Sequence, residues 1–532
     1  MKHQRLIFWS ITAALAGFLF GFDTIVISGA ERQIQNLWKL SGSLHGWAVG
    51  AALWGTVIGA IFGGIPTAKF GRKKTLVWVG VLYFVSAVGS GLAQDVYTFM
   101  IARFIGGLGV GASTVAAPMF ISEISPAESR GKLAGMFQFN IVFGILIALV
   151  SNTILKSILS EDIAWRWMLG AEALPALVYT VMSFTLPESP RWLITHGKKR
   201  EEGARVFRLI NPEFSDEQIE KLVTEVEQTK VGTQKTSSFF SSRLRIPILL
   251  AFLIAMFNQL SGINIVFYFA PRLLALAGLE NATLSAVSLG VTNLIFTFVG
   301  LYLIDKIGRR SLLYIGSFGY IITLGVCSVA FLSNPGFGVV SSSIDLSKNS
   351  EAAITAKEGK TYMTADDRAE TYKNYVDAKA GLIAASQAEG YAGDPVVIPE
   401  SADEAAVKKI ADDTKTAAAD KLGLMSPLVL VCLIGFIAAH AIGQGAVIWV
   451  FISEIFPNDH RAAGQALGSS THWVFAAGMA TLYPMVAAVV STGHIFGFFC
   501  FMMVLQLVWV KIMVPETKGI SLEDMSKKLG IE

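Results

Sequence analysis

Cysteine is nearly absent: Cys327, Cys432 and Cys500 are the only three in 532 residues, each inside an apolar run. No disulfide framework can be built from them. Charge is scarce as well, at 16% Asp, Glu, Lys and Arg against about 25% in a soluble domain. With 53% hydrophobic residues, the chain is excluded from the ordinary globular class and reads as a polytopic membrane protein. The formal net charge of +3 leaves no basic surplus for a nucleic-acid partner. No metal-ligand cluster, nucleophile motif or phosphate loop occurs, so an enzyme, a metal site and a cofactor are not expected. The opening MKHQR enters a long apolar run with no small-residue cleavage site, which predicts a retained first helix rather than a signal peptide.

What the chain has in abundance is spanning-length apolar runs. They lie near 8–30, 46–68, 75–93, 98–121, 133–155 and 166–186, and again near 246–277, 284–304, 311–332, 426–451, 464–490 and 494–514. The expected fold is an all-α membrane protein with twelve transmembrane helices in two six-helix bundles. Residues 1–187 form the first bundle, 188–245 a polar linker and 246–532 the second bundle. Short-loop Lys and Arg collect between runs 2 and 3 (Lys69, Arg72, Lys73, Lys74), between runs 8 and 9 (Lys306, Arg309, Arg310) and in the linker. By the positive-inside rule these loops and both termini are cytoplasmic, in a cell membrane of the bacterial inner-membrane kind. Within the linker, EEGARVFRLI and SDEQIEKLVTEVEQ read as short amphipathic helices, the second capped by Ser215 or Asp216.

The halves repeat. KFGRKK at 69–74 recurs as KIGRR at 306–310, and SEISPAESR at 122–130 recurs as SEIFPNDHR at 453–461. The second pair is spaced wider by roughly 90 residues, which locates an insertion in the second half. It is the polar, Ala/Lys/Asp-rich stretch at about 334–425, expected outside the cell as helical hairpins or partly disordered chain packed loosely on the rim.

Two sets of polar residues sit where hydrocarbon should be. In IAMFNQLSGINIVFY at 254–268, Asn258, Gln259 and Asn264 flank Ser261-Gly262. A buried unpaired amide costs about 1–3 kcal/mol. A break at Ser261-Gly262 would turn these amides toward one cavity, where each both donates and accepts, as a ligand made of hydroxyls requires. The alternative is helix–helix glue. Asp23, Arg103 and Glu172 all fall roughly 10–12 Å below the outer surface at 1.5 Å per residue. An Asp23–Arg103 pair is the economical arrangement, either as a static staple or as a carboxylate poised to exchange a proton.

Taken together, GFLFGFDT at 17–24, RFIGGLGVG at 103–111, PESPRWL at 187–193, QLSGIN at 259–264, SEIFP at 453–457 and PETKG at 515–519 resemble the sugar porters of the major facilitator superfamily. The resemblance spans nearly the whole chain outside 334–425, and runs to the bacterial proton-coupled D-xylose and hexose symporters. It implies uptake of a monosaccharide with a proton, by alternating access, in a monomer in the lipid bilayer. It carries over proton coupling to Asp23, Arg103 and Glu172. The implied substrate contacts are Gln138, Asn258, Gln259, Asn264, Asn293, Trp449, with its face on the sugar, and His472. Phe20 and Tyr268 are expected to gate the cavity. Arg72, Glu123, Arg130, Glu188 and Arg191, with Arg309, Glu454 and Arg461, are expected to close the cytoplasmic side. Three departures stand out: GQGAVIW at 443–449 in place of a proline-rich break, Asn258 in place of a longer Gln, and His472 in place of an amide, with a structural role for that His equally open. A passive uniporter and a non-transporting sugar sensor are the alternatives. Asp23 argues against the first, and the dozen or so residues after Gly519 against the second.

Overall fold

The structure, a computed structural model, describes all residues except 1–3, 126–129, 232–238, 358–364, 458–459, 521 and 532. The described residues form helices and connecting turns. In chain order they are α1 (Gln4–Leu37), α2 (Gly42–Phe62), α3 (Gly64–Phe70), α4 (Arg72–Leu92), α5 (Val96–Ile124), α6 (Arg130–Ile158), α7 (Glu161–Gly170) and α8 (Ala173–Ser183). Then come α9 (Pro190–Thr195), α10 (Arg200–Ile210) and α11 (Asp216–Val231). The second half holds α12 (Arg245–Leu260), α13 (Ile263–Tyr268), α14 (Ala270–Leu276), α15 (Ala282–Ile307) and α16 (Arg309–Ser333). It continues through α17 (Pro335–Lys357), α18 (Ala365–Ser386), α19 (Glu404–Leu422), α20 (Met425–His440), α21 (Ala446–Ile455), α22 (Arg461–Ala487), α23 (Thr492–Met513) and α24 (Leu522–Lys528).

Among the described residues, ten helical segments are long and apolar enough to cross a membrane. The sixth and eleventh runs of the sequence are also helical but fall outside that set. The sixth is broken into α7 and α8 at Ala171-Glu172, and the eleventh, α22, carries polar residues such as Gln465 and His472. Two further interruptions have local causes. Gly262 takes φ +86°, a left-handed conformation that ends α12, and a Cβ there would lie 2.6 Å from the Phe499 ring. The seventh run therefore enters its outer half as two short helices, α13 and α14. In the tenth run, Ala441–Gly445 form a π-turn between α20 and α21, so the GQG segment bends without proline.

Helices of the first half pack mainly on one another, α1 on α6 and α2 on α5, and those of the second half likewise, α16 on α23 and α12 on α22. Contacts between halves run through α2 with α22, α6 with α15, and α1 with α13 and α14. The linker forms three helices, not two. Pro190 starts α9 where its missing N–H is harmless, and Ser189 Oγ accepts from Trp192 N at 3.2 Å. In α11 the cap is Ser215, which accepts from Gln218 N at 3.3 Å while Gln218 Oε1 accepts from Ser215 N at 2.8 Å. Ile194, Phe207, Ile219, Val223 and Val226 close a small core of their own.

The insertion is helical, one of the expected forms, and packs tightly within itself. α17 packs on both α18 and α19. Val340, Leu346, Ala353, Val407, Ala411 and Ala418 are fully buried. Small side chains let these helices approach closely, which the thin apolar content of the stretch concealed. Tyr372 and Lys357 both bond Glu404, at 2.6 and 3.0 Å.

Candidate functional site

The break at Gly262 does what the sequence suggested and gathers amides on one wall of a central cavity of about 140 Å³. Gln259 is the hub. Its Nε2 donates to Asn258 Oδ1 at 2.9 Å, its Oε1 accepts from Asn264 Nδ2 at 2.8 Å, and its Nε2 lies 3.1 Å from His472 Nε2. Gln138 from α6 and Asn293 from α15 line the same cavity. Neither makes a protein hydrogen bond among the described residues, so both amides face the cavity with their capacity free. Phe20 and Tyr268 line it as well.

Trp449 does not line this cavity. Its ring packs against His472 at 5.3 Å between centroids, so it buttresses the imidazole. Trp473, which follows His472 on α22, supplies the indole that lines the cavity and meets Phe20 at 5.5 Å. It went unnoticed in the sequence because a Trp in an apolar helix has no signature distinguishing packing from ligand contact. His440 also lines the cavity, with its Nδ1 held 2.7 Å from the Tyr320 hydroxyl.

A second constellation lies within the first half. Arg103 Nη1 donates to Asp23 Oδ1 at 2.6 Å and its Nη2 to the Asp23 carbonyl at 2.8 Å. Asp23 and Arg103 are both buried, and Asp23 Oδ2 has no hydrogen-bond partner. Glu172, at the α7–α8 break, is 1% exposed, and its carboxyl meets that of Asp23. It interacts electrostatically with both Asp23 and Arg103. One guanidinium thus lies near two buried carboxyl groups and is paired with that of Asp23.

The residue types, the break and the cavity have counterparts among known proteins. The family model described as "Sugar (and other) transporter" matches residues 9–344 and 410–529. The chain belongs to the sugar transporter family. A glucose transport protein of Synechocystis is 31% identical over 96% of this chain and 95% of its own. The D-xylose-proton symporter of Escherichia coli is 28% identical over 97% and 94%. Among solved structures, the inward-open xylose transporter XylE from E. coli superposes with a TM-score of 0.72 at 27% identity, covering 98% of this chain and 99% of that one. XylE bound to 6-bromo-6-deoxy-D-glucose gives 0.66, with 99% and 100% covered. The protein is therefore a multi-pass membrane transporter with the major facilitator fold, not an enzyme. Residues 345–409, inside the insertion, lie outside the family match.

The repeated motifs of this sugar transporter build the same device twice at the linker end. Arg72 Nη2 and Nε donate to Glu123 at 2.7 and 2.8 Å, and Arg309 Nη2 and Nε donate to Glu454 at 2.8 and 3.1 Å. Each Arg also donates Nη1 to the carbonyl five residues before it, Thr67 or Ile304. Glu188 Oε1 accepts from the backbone N of Arg72 and Lys73. Glu516, the acid of PETKG, does the same for Arg309 and Arg310. Gly71 and Gly308, at φ +95° and +93°, bring these N–H groups to the carboxylates, and a Cβ at either would lie within 2.5 Å of a carboxylate oxygen. Glu516 escaped notice, although its signal was present in the equivalence of PES and PET. Four backbone bonds hold Glu516 below the ordinary carboxylate range despite its burial, whereas burial outweighs such bonds at Glu188 and pushes it up.

These pairs join residues of the same half, so the Arg–Glu contacts expected to seal the inside are staples within each half here. Arg191 is exposed to solvent. Arg461 keeps two buried guanidinium nitrogens, Nε and Nη2, without partners among the described residues. The Arg130 side chain lies outside the described residues.

Proposed function

We propose that this transporter takes up a monosaccharide, a pentose or hexose, together with a proton, by alternating access as a monomer in the cell membrane. The buried Asp23 carboxylate carries the reading: it has one oxygen paired with Arg103 and the other unpartnered beside Glu172. A static pair needs one carboxylate for one guanidinium, whereas two buried carboxyls in contact beside a single guanidinium leave a place for a proton between them. Passive uniport requires no buried titratable group at this depth. The substrate class rests on the cavity, where Gln138, Gln259, Asn264 and Asn293 offer paired donors and acceptors and Trp473 a flat apolar face. Relatives named as an arabinose-proton symporter, from Bacillus subtilis, and D-xylose-proton symporters support both parts.

The excess of Lys and Arg at the linker end supports a cytoplasmic placement of that end and of both termini, with α17–α19 outside. Arg461, with unpartnered nitrogens in this state, fits a gate that forms when the cytoplasmic side closes.

Asp23→Asn tests the proposal, since it retains shape and hydrogen bonding but cannot titrate. In proteoliposomes the variant should bind sugar and exchange it across the membrane. It should fail to accumulate sugar down a pH gradient, and sugar addition should no longer alkalinise the medium. Accumulation at the wild-type level would return Asp23 to a structural role.

A further inference from the structure

The two halves also meet at the end that carries α17–α19, and the contact there is ionic. Glu31, near the end of α1, is 2% exposed. Its Oε2 accepts from Arg272 Nη2 at 2.8 Å and from His45 Nε2 at 2.9 Å, and its Oε1 accepts from Arg272 Nε at 3.0 Å. Arg272 Nη2 also donates to Gln35 Oε1 at 2.6 Å. Glu31, Gln35 and His45 belong to α1 and α2 of the first half, while Arg272 lies on α14 of the second. This network therefore crosses between halves, unlike the Arg72–Glu123 and Arg309–Glu454 pairs at the opposite end.

The packing around it is closed. The Arg272 guanidinium sits over the Phe269 ring at 5.8 Å, and Phe269 meets Tyr483 of α22 at 4.5 Å. Beside them α2 presses on α22 so closely that a Cβ on Gly46 would lie 1.9 Å from the Thr481 carbonyl oxygen. A TM-score of 0.72 to the inward-open relative agrees with an end that is shut here.

We infer that Glu31, His45 and Arg272 are positioning residues that latch the insertion-bearing end shut and part each time the cavity opens there. An alternating-access carrier must open this end in every cycle. Opening moves Arg272 away with the second half, and water then solvates the separated charges. The bidentate pair exists only in the closed state, so its energy biases the two-state equilibrium. Neither the sugar contacts nor Asp23 takes part, so the inference stands or falls apart from proton coupling.

Spin labels at Asn36 and Glu280, exposed positions of the two halves at this end, read the opening as a distance distribution in lipid. E31Q and R272Q should each raise the long-distance population by about tenfold, the effect of losing one charge-assisted contact. H45Q should act in the same direction but less. The exchange E31R/R272E should return the distribution toward wild type, which a merely structural role would not produce. Sugar affinity from equilibrium binding should persist in every variant. Distributions of E31Q and R272Q that superimpose on wild type would overturn the latch. If E31Q does not fold, R272K, which keeps the charge but loses the fork, gives the same reading, and an unchanged distribution there overturns it equally.

Discussion

Gln259 bonds three of its neighbours at once, which makes it both part of the cavity surface and the organiser of that surface. Truncation to Ala removes up to two ligand hydrogen bonds at about 1 kcal/mol each and frees Asn264 to reorient. Sugar affinity, measured by titration calorimetry, should fall by about tenfold or more. The two tryptophans separate by the same logic. Trp473→Ala removes a cavity wall and should weaken binding strongly. Trp449→Ala acts only through His472 and should weaken it less. Equal losses would mean that the indole of Trp449 reaches the ligand in another state of the cycle. At this scale the amides were legible because a polar side chain in an apolar run is anomalous. The indole was not, because an aromatic in such a run is ordinary.

Elements end and bend where backbone geometry demands it. Gly71 and Gly308 hold nearly identical conformations in the two halves, each aiming two N–H groups at one carboxylate. Gly308→Ala would combine a glycine-only φ/ψ with a clash against Glu516, a penalty of about 1–3 kcal/mol from the backbone alone. A lowered melting temperature in detergent should follow, with Gly71→Ala behaving alike. In the insertion, hydrogen bonding from the Tyr372 hydroxyl, with Lys357 beside it, holds Glu404 down at about 2 against an ordinary 4.5. A depressed carboxylate stabilises the fold above its ordinary value and loses that contribution as pH falls toward the lowered one. Hydrogen exchange in α18 and α19 should therefore accelerate between about pH 4.5 and 2, and Glu404→Gln should remove most of that dependence. The π-turn at Ala441–Gly445 shows that glycines alone bend the tenth run, without the proline whose absence had left its hinge open.

For the whole molecule, the insertion is a self-packed layer joined to the transport helices at α16, α14 and α20. It lies away from the amide cavity, whose lining comes from other elements. Excising 340–420 and joining the ends with a short linker should leave sugar affinity within about threefold, as binding to purified protein would establish. Abolished binding in a variant that still folds would make the layer part of the ligand site. Gly46 makes the complementary prediction. Val at this position cannot fit against Thr481, so the halves cannot close at the insertion-bearing end. Gly46→Val should still bind sugar from that side yet lose transport, as uptake and binding assays on one preparation would separate.

Apolar runs, sorted charge, the repeated GR and SEI motifs and the polar residues at membrane depth were all set by the sequence itself. Each is a local departure from what hydrocarbon tolerates, readable one residue or one run at a time. Tertiary structure decided which partners meet. Glu31, His45 and Arg272 are dispersed in the chain, and none belongs to a repeated motif. Only the approach of α1, α2 and α14 makes them one buried network. The pairing of Arg72 with Glu123 inside one half, in place of a contact between halves, is likewise decided by the packing. One sequence must serve both states of a carrier, so it specifies the residues available to each gate. The arrangement of the two halves selects which gate is formed.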